Sequence, residues 1–205
     1  MVSHGTVPRL ALVVVDFQRD FCDGGALAVR GADELLQPLN LLVRAFERAR
    51  QPVFFTRDWH PPNHCSFRNY GGAWPPHCVV GTPGAQFHPL LEVPKDAFVI
   101  SKATSADKDA YSGFQGTDLG RRLRRLGVRR VYVCGLATDY CVKNTVLDAL
   151  ALGFEVRLVA DCIRGVNLKR TDSANAVRSM LSAGAKPVVA VRAAKSVGGD
   201  SAGGN

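Results

Sequence analysis

Three consecutive segments, RLALVVVDF (9–17), ADELLQPLNLLVRAFERAR (32–50) and PVFFTRDW (52–59), carry the strongest structural signal in the chain. The first and third are short apolar runs rich in β-branched and aromatic residues, which favour strands. The middle one repeats its apolar residues at helical spacing, which predicts an amphipathic helix. A strand, a helix and a second strand in this order predict a βαβ unit with parallel strands.

The same alternation continues along the chain. After a segment rich in proline, glycine and histidine (60–95), further strands are predicted at 96–104, 129–137, 155–163 and 186–193, and helices near 117–126, 139–152 and 169–183. Because helices supply the crossovers that parallel strands need, the pattern predicts an α/β fold, a three-layer doubly wound sheet of six mainly parallel strands. We expect a single domain over 1–195 and a disordered tail at 196–205, where the residues are small and polar.

The composition favours one globular unit in the cytoplasm. The 205 residues are 46% hydrophobic, enough for one substantial core, and no apolar run is long enough to span a bilayer. The first ten residues, MVSHGTVPRL, do not resemble a secretory signal. Without such a signal, six scattered cysteines are better interpreted as reduced thiols than as disulfides. We therefore expect a cytoplasmic protein with no membrane partner.

The formal charge of +8 raises the question of nucleic-acid binding, and six arginines lie in RRLRRLGVRR (121–130). Their spacing is typical of the water-facing side of an amphipathic helix. Aromatic residues, which a single-strand binder would use for stacking, are not interleaved with them. We therefore expect no nucleic-acid partner; an RNA-associated protein remains the alternative only if this helix binds RNA.

Polar residues close four of the predicted strands. The first strand ends at Asp16, the second at Asp58 followed by His60, and the third at Lys102. The fourth runs into GLATDYC, which places Cys141 at the start of a helix. Ligands of open parallel sheets bind at the carboxyl ends of the strands, so we expect these side chains to converge there.

Cys141 is the candidate nucleophile. With Thr138 as N-cap, it would lie in the first helical turn, where the helix dipole favours a thiolate. Asp16 would take the thiol proton and Lys102 would stabilise the charges, which together make a catalytic triad. Taken singly, a buried cysteine, a strand-end aspartate and a lysine are more often a core residue, a turn residue and an ion-pair partner. Their convergence favours catalysis, whereas Cys134 and Cys162 are expected to be core residues.

Asp58, His60 and His77 form a candidate site for one divalent metal ion, with His64 or Ser66 as a fourth contact. Three such ligands leave positions open for water or substrate, as catalytic metal sites require. The set suits zinc first, with iron or manganese as alternatives. The competing interpretation is a group of loop histidines bonded to backbone carbonyls. A structural zinc finger is disfavoured because Cys65 and Cys78 are not part of CxxC pairs.

Over nearly its whole length the chain resembles the nicotinamidase branch of the isochorismatase-like hydrolases. The resemblance rests on VVVDFQRDFCDGGALAV, TRDWHPPNHCSF, WPPHCVVGTPGAQFHP, SK at 101–102, AYSGF at 110–114 and GLATDYCV. It implies a triad of Asp16, Lys102 and Cys141 and metal ligands at Asp58, His60 and His77. It further implies a non-proline cis peptide between Leu136 and Ala137, an oxyanion hole at the N–H groups of Ala137 and Cys141, and aromatic walls for a pyridine pocket at Phe21, Trp74 and Tyr111. One departure is the longer stretch ATSADKD after Lys102, at the lid over the pocket.

The implied reaction is metal-assisted hydrolysis of the small molecule nicotinamide to nicotinate and ammonia through a Cys141 thioester, as in NAD salvage. Alternatives are a related amidohydrolase acting on a carbamoyl or ureido substrate, or on an analogue such as pyrazinamide. A non-catalytic nucleotide-binding domain is disfavoured because DFQRDFCDGG lacks the GxGxxG pattern. The sequence leaves open whether the chain forms a homo-oligomer.

Overall fold

The computed structural model describes residues 9–199, which fold around one six-stranded, entirely parallel sheet. The strands are β1 (Arg9–Val15), β2 (Val53–Asp58), β3 (Phe98–Lys102), β4 (Val128–Leu136), β5 (Glu155–Arg164) and β6 (Lys186–Val188). The α-helices are α1 (Leu36–Arg48), α2 (Leu119–Arg125), α3 (Lys143–Ala151), α4 (Asp172–Ser182) and α5 (Ala190–Gly199). The predicted fold class is thereby confirmed.

The sheet is buried on both faces, and β1 illustrates why. Six of its seven residues are buried, and they divide by alternation between two cores. Leu10, Leu12 and Val14 pack with the apolar faces of α1 and α5, whereas Ala11, Val13 and Val15 pack with those of α2, α3 and α4. A strand covered by helices on both sides needs apolar residues at every position, which explains the unbroken run in the sequence.

The sheet order β3-β2-β1-β4-β5-β6 reverses direction between β1 and β4. The chain builds β2 and β3 on one side of β1, then returns to lay β4 along its other side. The two central strands approach closely at Gly135, where a Cβ atom would lie 2.1 Å from the carbonyl oxygen of Val15. A crevice outside the carboxyl ends of two such strands is where doubly wound sheets bind ligands.

The carboxyl-terminal prediction is partly wrong. The last strand, predicted over 186–193, ends at Val188, and α5 begins at Ala190, whose N–H donates to Asp161 Oδ1 at 2.8 Å. Residues 196–199, predicted to be disordered, belong to this helix, while 200–205 lie outside the described residues. The helix forms because Ala190, Ala193 and Val197 lie on one face and pack into the core. This helical spacing is hard to recognise in the sequence, because its first residues continue the short apolar run that was predicted as a strand.

The arginine-rich segment 121–130 is divided between α2 and β4: Arg121, Arg122, Arg124 and Arg125 lie in α2, which is amphipathic as predicted, whereas Arg129 and Arg130 lie in β4. Leu119 and Leu123 are buried, whereas the arginines of this helix face water. Arg122 donates to Asp118 at 2.8 Å, one turn earlier. Over the stretch from Arg9 to Gly199, no helix combines the length and the apolar character that crossing a membrane requires.

Candidate active site

The ammonium group of Lys102 lies at the centre of the site. Its Nζ is 2.9 Å from Asp16 Oδ2, 2.5 Å from Asp58 Oδ1 and 3.4 Å from Cys141 Sγ, and it donates to the carbonyl oxygen of Ala110 at 3.0 Å. Both Lys102 and Asp16 are almost completely buried. The structure therefore brings together the three side chains predicted as a triad, from the ends of β1, β3 and β4.

Asp16 is held in place by Thr56, which the sequence analysis missed. The hydroxyl of Thr56 donates to Asp16 Oδ1 at 2.6 Å, and the Thr56 carbonyl accepts the Asp16 N–H at 3.1 Å. Asp16 itself has a φ of 46°, which turns the chain sharply as it leaves β1. Thr56 precedes Asp58 by two residues in β2 and shares its side of the strand, a spacing that could have identified it. The second oxygen, Oδ2, is left to face Lys102 and the thiol.

Burial raises the pKa of the Cys141 thiol well above its usual value; Lys102 opposes this, while Asp16 and Asp58 reinforce it. The predicted preference for a thiolate is therefore opposed by removal of the thiol from water, which the nearby cation offsets only in part. Burial also raises the pKa of Asp16, against the opposing charge of Lys102. A buried carboxylate with a raised pKa is a stronger base, suited to taking the proton of this thiol.

Lys102 keeps its charge in this interior. Burial acts to lower the pKa of Lys102, but the carboxylates of Asp16 and Asp58 outweigh burial and hold the pKa well above its usual value. The ammonium is therefore charged at neutral pH. It also offsets one of the two carboxylate charges in the group formed by Asp16, Asp58 and Cys141, whose ligand atoms lie within 4.8 Å of one another.

Cys141 lies in a π-helical turn, Thr138–Val142, that leads into α3. The Val142 N–H donates to the carbonyl oxygen of Ala137 at 3.1 Å, five residues back. The peptide bond between Leu136 and Ala137 is cis, which confirms the expectation drawn from the family resemblance. The predicted N-cap at Thr138 is wrong. Ala137 occupies the N-cap position, no side chain caps the turn, and Thr138 is its buried first residue.

Asp58, His60 and His77 are buried beside this triad, and their ligand atoms lie within 4.8 Å of one another. His60 Nδ1 lies 3.0 Å from the carbonyl oxygen of His77, and His77 Nδ1 lies 2.8 Å from that of Pro75. Because a carbonyl only accepts, each ring donates through Nδ1, which leaves Nε2 as the candidate ligand atom. The competing interpretation of carbonyl-bonded histidines thus holds for one nitrogen of each ring and leaves the other free to bind.

The atom His60 Nε2 is buried and has no hydrogen-bond partner. Burial, the largest cause, lowers the pKa of His60 to about 3, so its ring is neutral at physiological pH. A neutral imidazole fixed by a carbonyl, an unpaired ring nitrogen and an adjacent carboxylate are the features of a metal-ligand set. These residues therefore fit a divalent cation.

Of the two alternatives for a fourth contact, the geometry favours Ser66. His64 Nε2 lies 3.1 Å from the carbonyl oxygen of Lys108 and so carries the proton, while His64 Nδ1 lies 2.7 Å from Ser66 Oγ. Both ring nitrogens of His64 are thus engaged, which also disfavours a metal site made of His60, His64 and Asp109. Ser66 Oγ shares the hydrogen bond with His64 Nδ1, but Ser66, unlike His64, lines the pocket beside His60 and His77.

A narrow, mainly apolar slot is bordered by both Cys141 and the metal-ligand set. The three predicted aromatic residues line it, together with five residues that the sequence analysis missed: Phe21, Trp74 and Tyr111, then Leu27, Asp109, Ala110, Tyr140 and Val166. Trp74 Nε1 donates to the Tyr111 hydroxyl at 3.2 Å, and the ring of Tyr140 packs edge-on against Trp74. A larger cleft, about 550 Å³, lies at the amino ends of β1, β2 and β3, away from the nucleophile, so size does not locate the chemistry here.

Comparisons with known proteins agree with this geometry. Residues 10–196 match the model of the isochorismatase domain. The nicotinamidase of Escherichia coli is 42% identical over 200 residues, which cover 87% of this chain and 94% of that protein. The pyrazinamidase of Pyrococcus horikoshii, solved in complex with zinc, is 52% identical with a TM-score of 0.85 and 89% and 99% of the two chains covered. An L. infantum protein solved in complex with nicotinate is 36% identical, with a TM-score of 0.81 over 89% and 93% of the chains.

Proposed function

The chain belongs to the isochorismatase family, and on that premise we propose that it hydrolyses nicotinamide to nicotinate and ammonia through a thioester on Cys141. The observation that carries this proposal is the contact of the buried Lys102 ammonium with both Asp16 and Cys141, at 2.9 and 3.4 Å, beside a slot walled by aromatic rings. An acid–base group, a nucleophile and a flat apolar pocket are the parts that hydrolysis of an aromatic amide requires.

In the first half-reaction, Asp16 removes the thiol proton and the sulfur attacks the carboxamide carbon. The carbonyl oxygen becomes an oxyanion, for which we assign the N–H groups of Ala137 and Cys141 as donors. The carbon–nitrogen bond then breaks, and the proton held by Asp16 passes to the leaving nitrogen to give ammonia. In the second half, Asp16 takes a proton from water, whose oxygen attacks the thioester; nicotinate leaves, and Cys141 regains a proton from Asp16.

We assign the metal site to Asp58, His60 and His77, with Ser66 as the fourth contact. Zinc is the first choice, since the P. horikoshii relative was solved with it, and iron or manganese are alternatives. When bound, the ion would act as a Lewis acid for the ring nitrogen of the substrate and so orient the carboxamide towards Cys141. The unpaired Nε2 of His60 is the feature of this chain that supports the assignment.

The slot favours a planar aromatic ring over the carbamoyl or ureido alternatives. Phe21, Trp74, Tyr111 and Tyr140 give it flat apolar walls, and pyrazinamide, with a ring of the same size, is expected to be a second substrate. We place the reaction in the cytoplasm, because its nucleophile must stay reduced and all six cysteines are free thiols. Hydrolysis of nicotinamide would make it a step of NAD salvage.

The decisive experiment measures ammonia and nicotinate released from nicotinamide by purified protein, with a chelated sample whose loss of metal has been verified. We expect equal amounts of both products, a fall in activity of about 100-fold or more on chelation, and recovery on adding zinc, because the ligands and the ion orient the substrate. No nicotinate from metal-loaded protein would overturn the substrate assignment. Full activity of the metal-free sample would overturn the role of the metal.

Asp139 is expected to set substrate affinity. Its buried carboxylate accepts the N–H groups of Val166 and Asn167 at 2.9 and 2.8 Å and so fastens the β5–α4 loop, with the pocket residue Val166, to the turn that carries Cys141. Loss of these charge-assisted hydrogen bonds in Asp139→Ala should release this wall of the slot and raise KM about tenfold, with a smaller change in kcat. Steady-state kinetics check this, with Asp172→Ala as control, since Asp172 accepts the N–H of Lys169 in the same loop, a residue that does not line the slot, rather than that of Val166. A KM shift shared by both variants would contradict a specific role for Asp139.

A further inference from the structure

We infer that Asp20 is a positioning residue for the metal site: its carboxylate fixes the segment that carries His77 against His60 without binding the ion. The inference rests on the metal site of the proposed function. Asp20 lies in the turn Arg19–Phe21 that follows β1, and its Oδ2 accepts the N–H of Cys78 at 2.7 Å. Cys78 directly follows His77, so this single hydrogen bond joins the loop after β1 to the segment that supplies a metal ligand.

The backbone at Cys78 needs such a partner. Cys78 has a φ of 48° and is completely buried. The left-handed conformation is unfavourable for a residue other than glycine, and persists where the surroundings hold it. A buried N–H without an acceptor would add its own penalty, and a carboxylate is the strongest acceptor that the chain can offer it. Asp20 therefore stabilises a backbone turn that would otherwise relax.

Cys78 is in turn the centre of the backbone network that joins the two imidazoles. Its carbonyl oxygen accepts the N–H of His60 at 3.0 Å, and the N–H of Val80 donates to the carbonyl oxygen of His60 at 2.8 Å. The carbonyl of His77 fixes the ring of His60 through Nδ1 at 3.0 Å. A shift of Cys78 would therefore move the main chain of one ligand and the ring orientation of the other.

The surroundings of Asp20 accommodate its carboxylate closely. A Cβ atom on Gly84 would lie 2.1 Å from Asp20 Oδ2, so only glycine leaves room for the side chain at that point of the turn Pro83–Ala85. The main-chain carbonyl of Asp20 accepts the N–H of Leu27 at 2.9 Å, and Oδ1 lies 3.3 Å from the N–H of Ala26. Three segments thus converge on one carboxylate that is absent from the triad and from the ligand set.

The test compares zinc affinity, measured by competition with a chromogenic chelator, in the wild type, Asp20→Ala, Asp20→Asn and Asp23→Ala. We expect Asp20→Ala to raise the Kd for zinc about 10- to 100-fold, the range found when outer partners of metal ligands are removed. Asp20→Asn should lose less, because its amide oxygen still accepts the Cys78 N–H. Asp23→Ala, an exposed carboxylate of the same loop, should bind zinc as the wild type does.

A second measurement separates positioning from a general loss of structure. Alkylation of Cys141 in metal-free protein should proceed at the wild-type rate in Asp20→Asn and Asp20→Ala, because Asp20 does not contact the triad. Equal zinc affinities in wild type and Asp20→Ala would overturn the inference and leave the proposed function intact. A loss of zinc affinity in both Asp20 variants, together with a changed rate of Cys141 alkylation, would also overturn the inference, because it would indicate a general loss of structure. A wild type that binds no zinc would instead overturn the proposed metal site, and this inference with it.

Discussion

Cys141→Ala is expected to lower the rate of nicotinate release by about 10⁵-fold or more, the size of effect seen when a nucleophile of a hydrolytic triad is removed. The reason is that Lys102 contacts both the sulfur and Asp16, at 3.4 and 2.9 Å, and that neither residue can replace the sulfur as the nucleophile. The measurement is product release over hours, together with mass spectrometry of wild-type enzyme quenched during turnover. The wild type should carry a nicotinoyl adduct on the peptide that contains Cys141.

Cys134→Ala is the matched control. Cys134 is buried in β4 of the same chain segment, but its Sγ lies 3.7 Å from the carbonyl oxygen of Val13 and it belongs to the core on the α1 and α5 side of the sheet. Its replacement should cost some stability, through the lost packing, and leave kcat nearly unchanged. Turnover in Cys141→Ala close to that of Cys134→Ala would refute covalent catalysis at Cys141.

Asp16→Asn is expected to lower kcat about 10⁴-fold, nearly as much as loss of the thiol, because one carboxylate moves the proton in both half-reactions. Asparagine keeps the shape of the side chain and can still accept the Thr56 hydroxyl through its oxygen. The variant should therefore fold and bind substrate, and single-turnover kinetics should reveal a slow first step. A kcat within tenfold of the wild type would contradict the role of Asp16 as general base.

The pH dependence of alkylation provides an independent check on the same variant. The negative charge of Asp16 and its hydrogen bond with the thiol both raise the pKa of Cys141, whereas Lys102 lowers it. Removing the charge of Asp16 should therefore lower the pKa of the thiol, so that iodoacetamide reacts at lower pH in Asp16→Asn than in the wild type. A thiol that is easier to ionise in an enzyme that hardly turns over would separate thiolate formation from the proton transfers of catalysis. An unchanged or upward-shifted alkylation profile would contradict this account.

The sequence predicts the fold and the convergence of the site for one physical reason. Parallel strands joined by helical crossovers have all their carboxyl ends at one edge, so residues as distant as Asp16 and Cys141 must meet once the alternation is recognised. The raised pKa of Cys141 could not be predicted, because the helix-start argument depends on local spacing whereas burial depends on everything packed around the sulfur.

The other differences have the same origin in tertiary contacts. Whether His64 or Ser66 faces the pocket depends on the carbonyl of Lys108, which lies 44 residues further along the chain and occupies one nitrogen of the imidazole. The helix over 196–199 depends on the packing of Val197 in the core, not on its polar neighbours. The conformation of short segments with weak hydrophobic patterns depends on such tertiary contacts, which local sequence patterns do not reveal.

The reversal of strand order between β1 and β4 also means that the catalytic residues come together late in the synthesis of the chain. The part of the chain that ends with β3 carries Asp16, the metal-ligand set and Lys102, and it leaves the ribosome first. The nucleophile follows only with β4, so the thiol meets its base and its cation when β4 docks along β1. Hydrolysis therefore requires that the two central strands, β1 and β4, have paired.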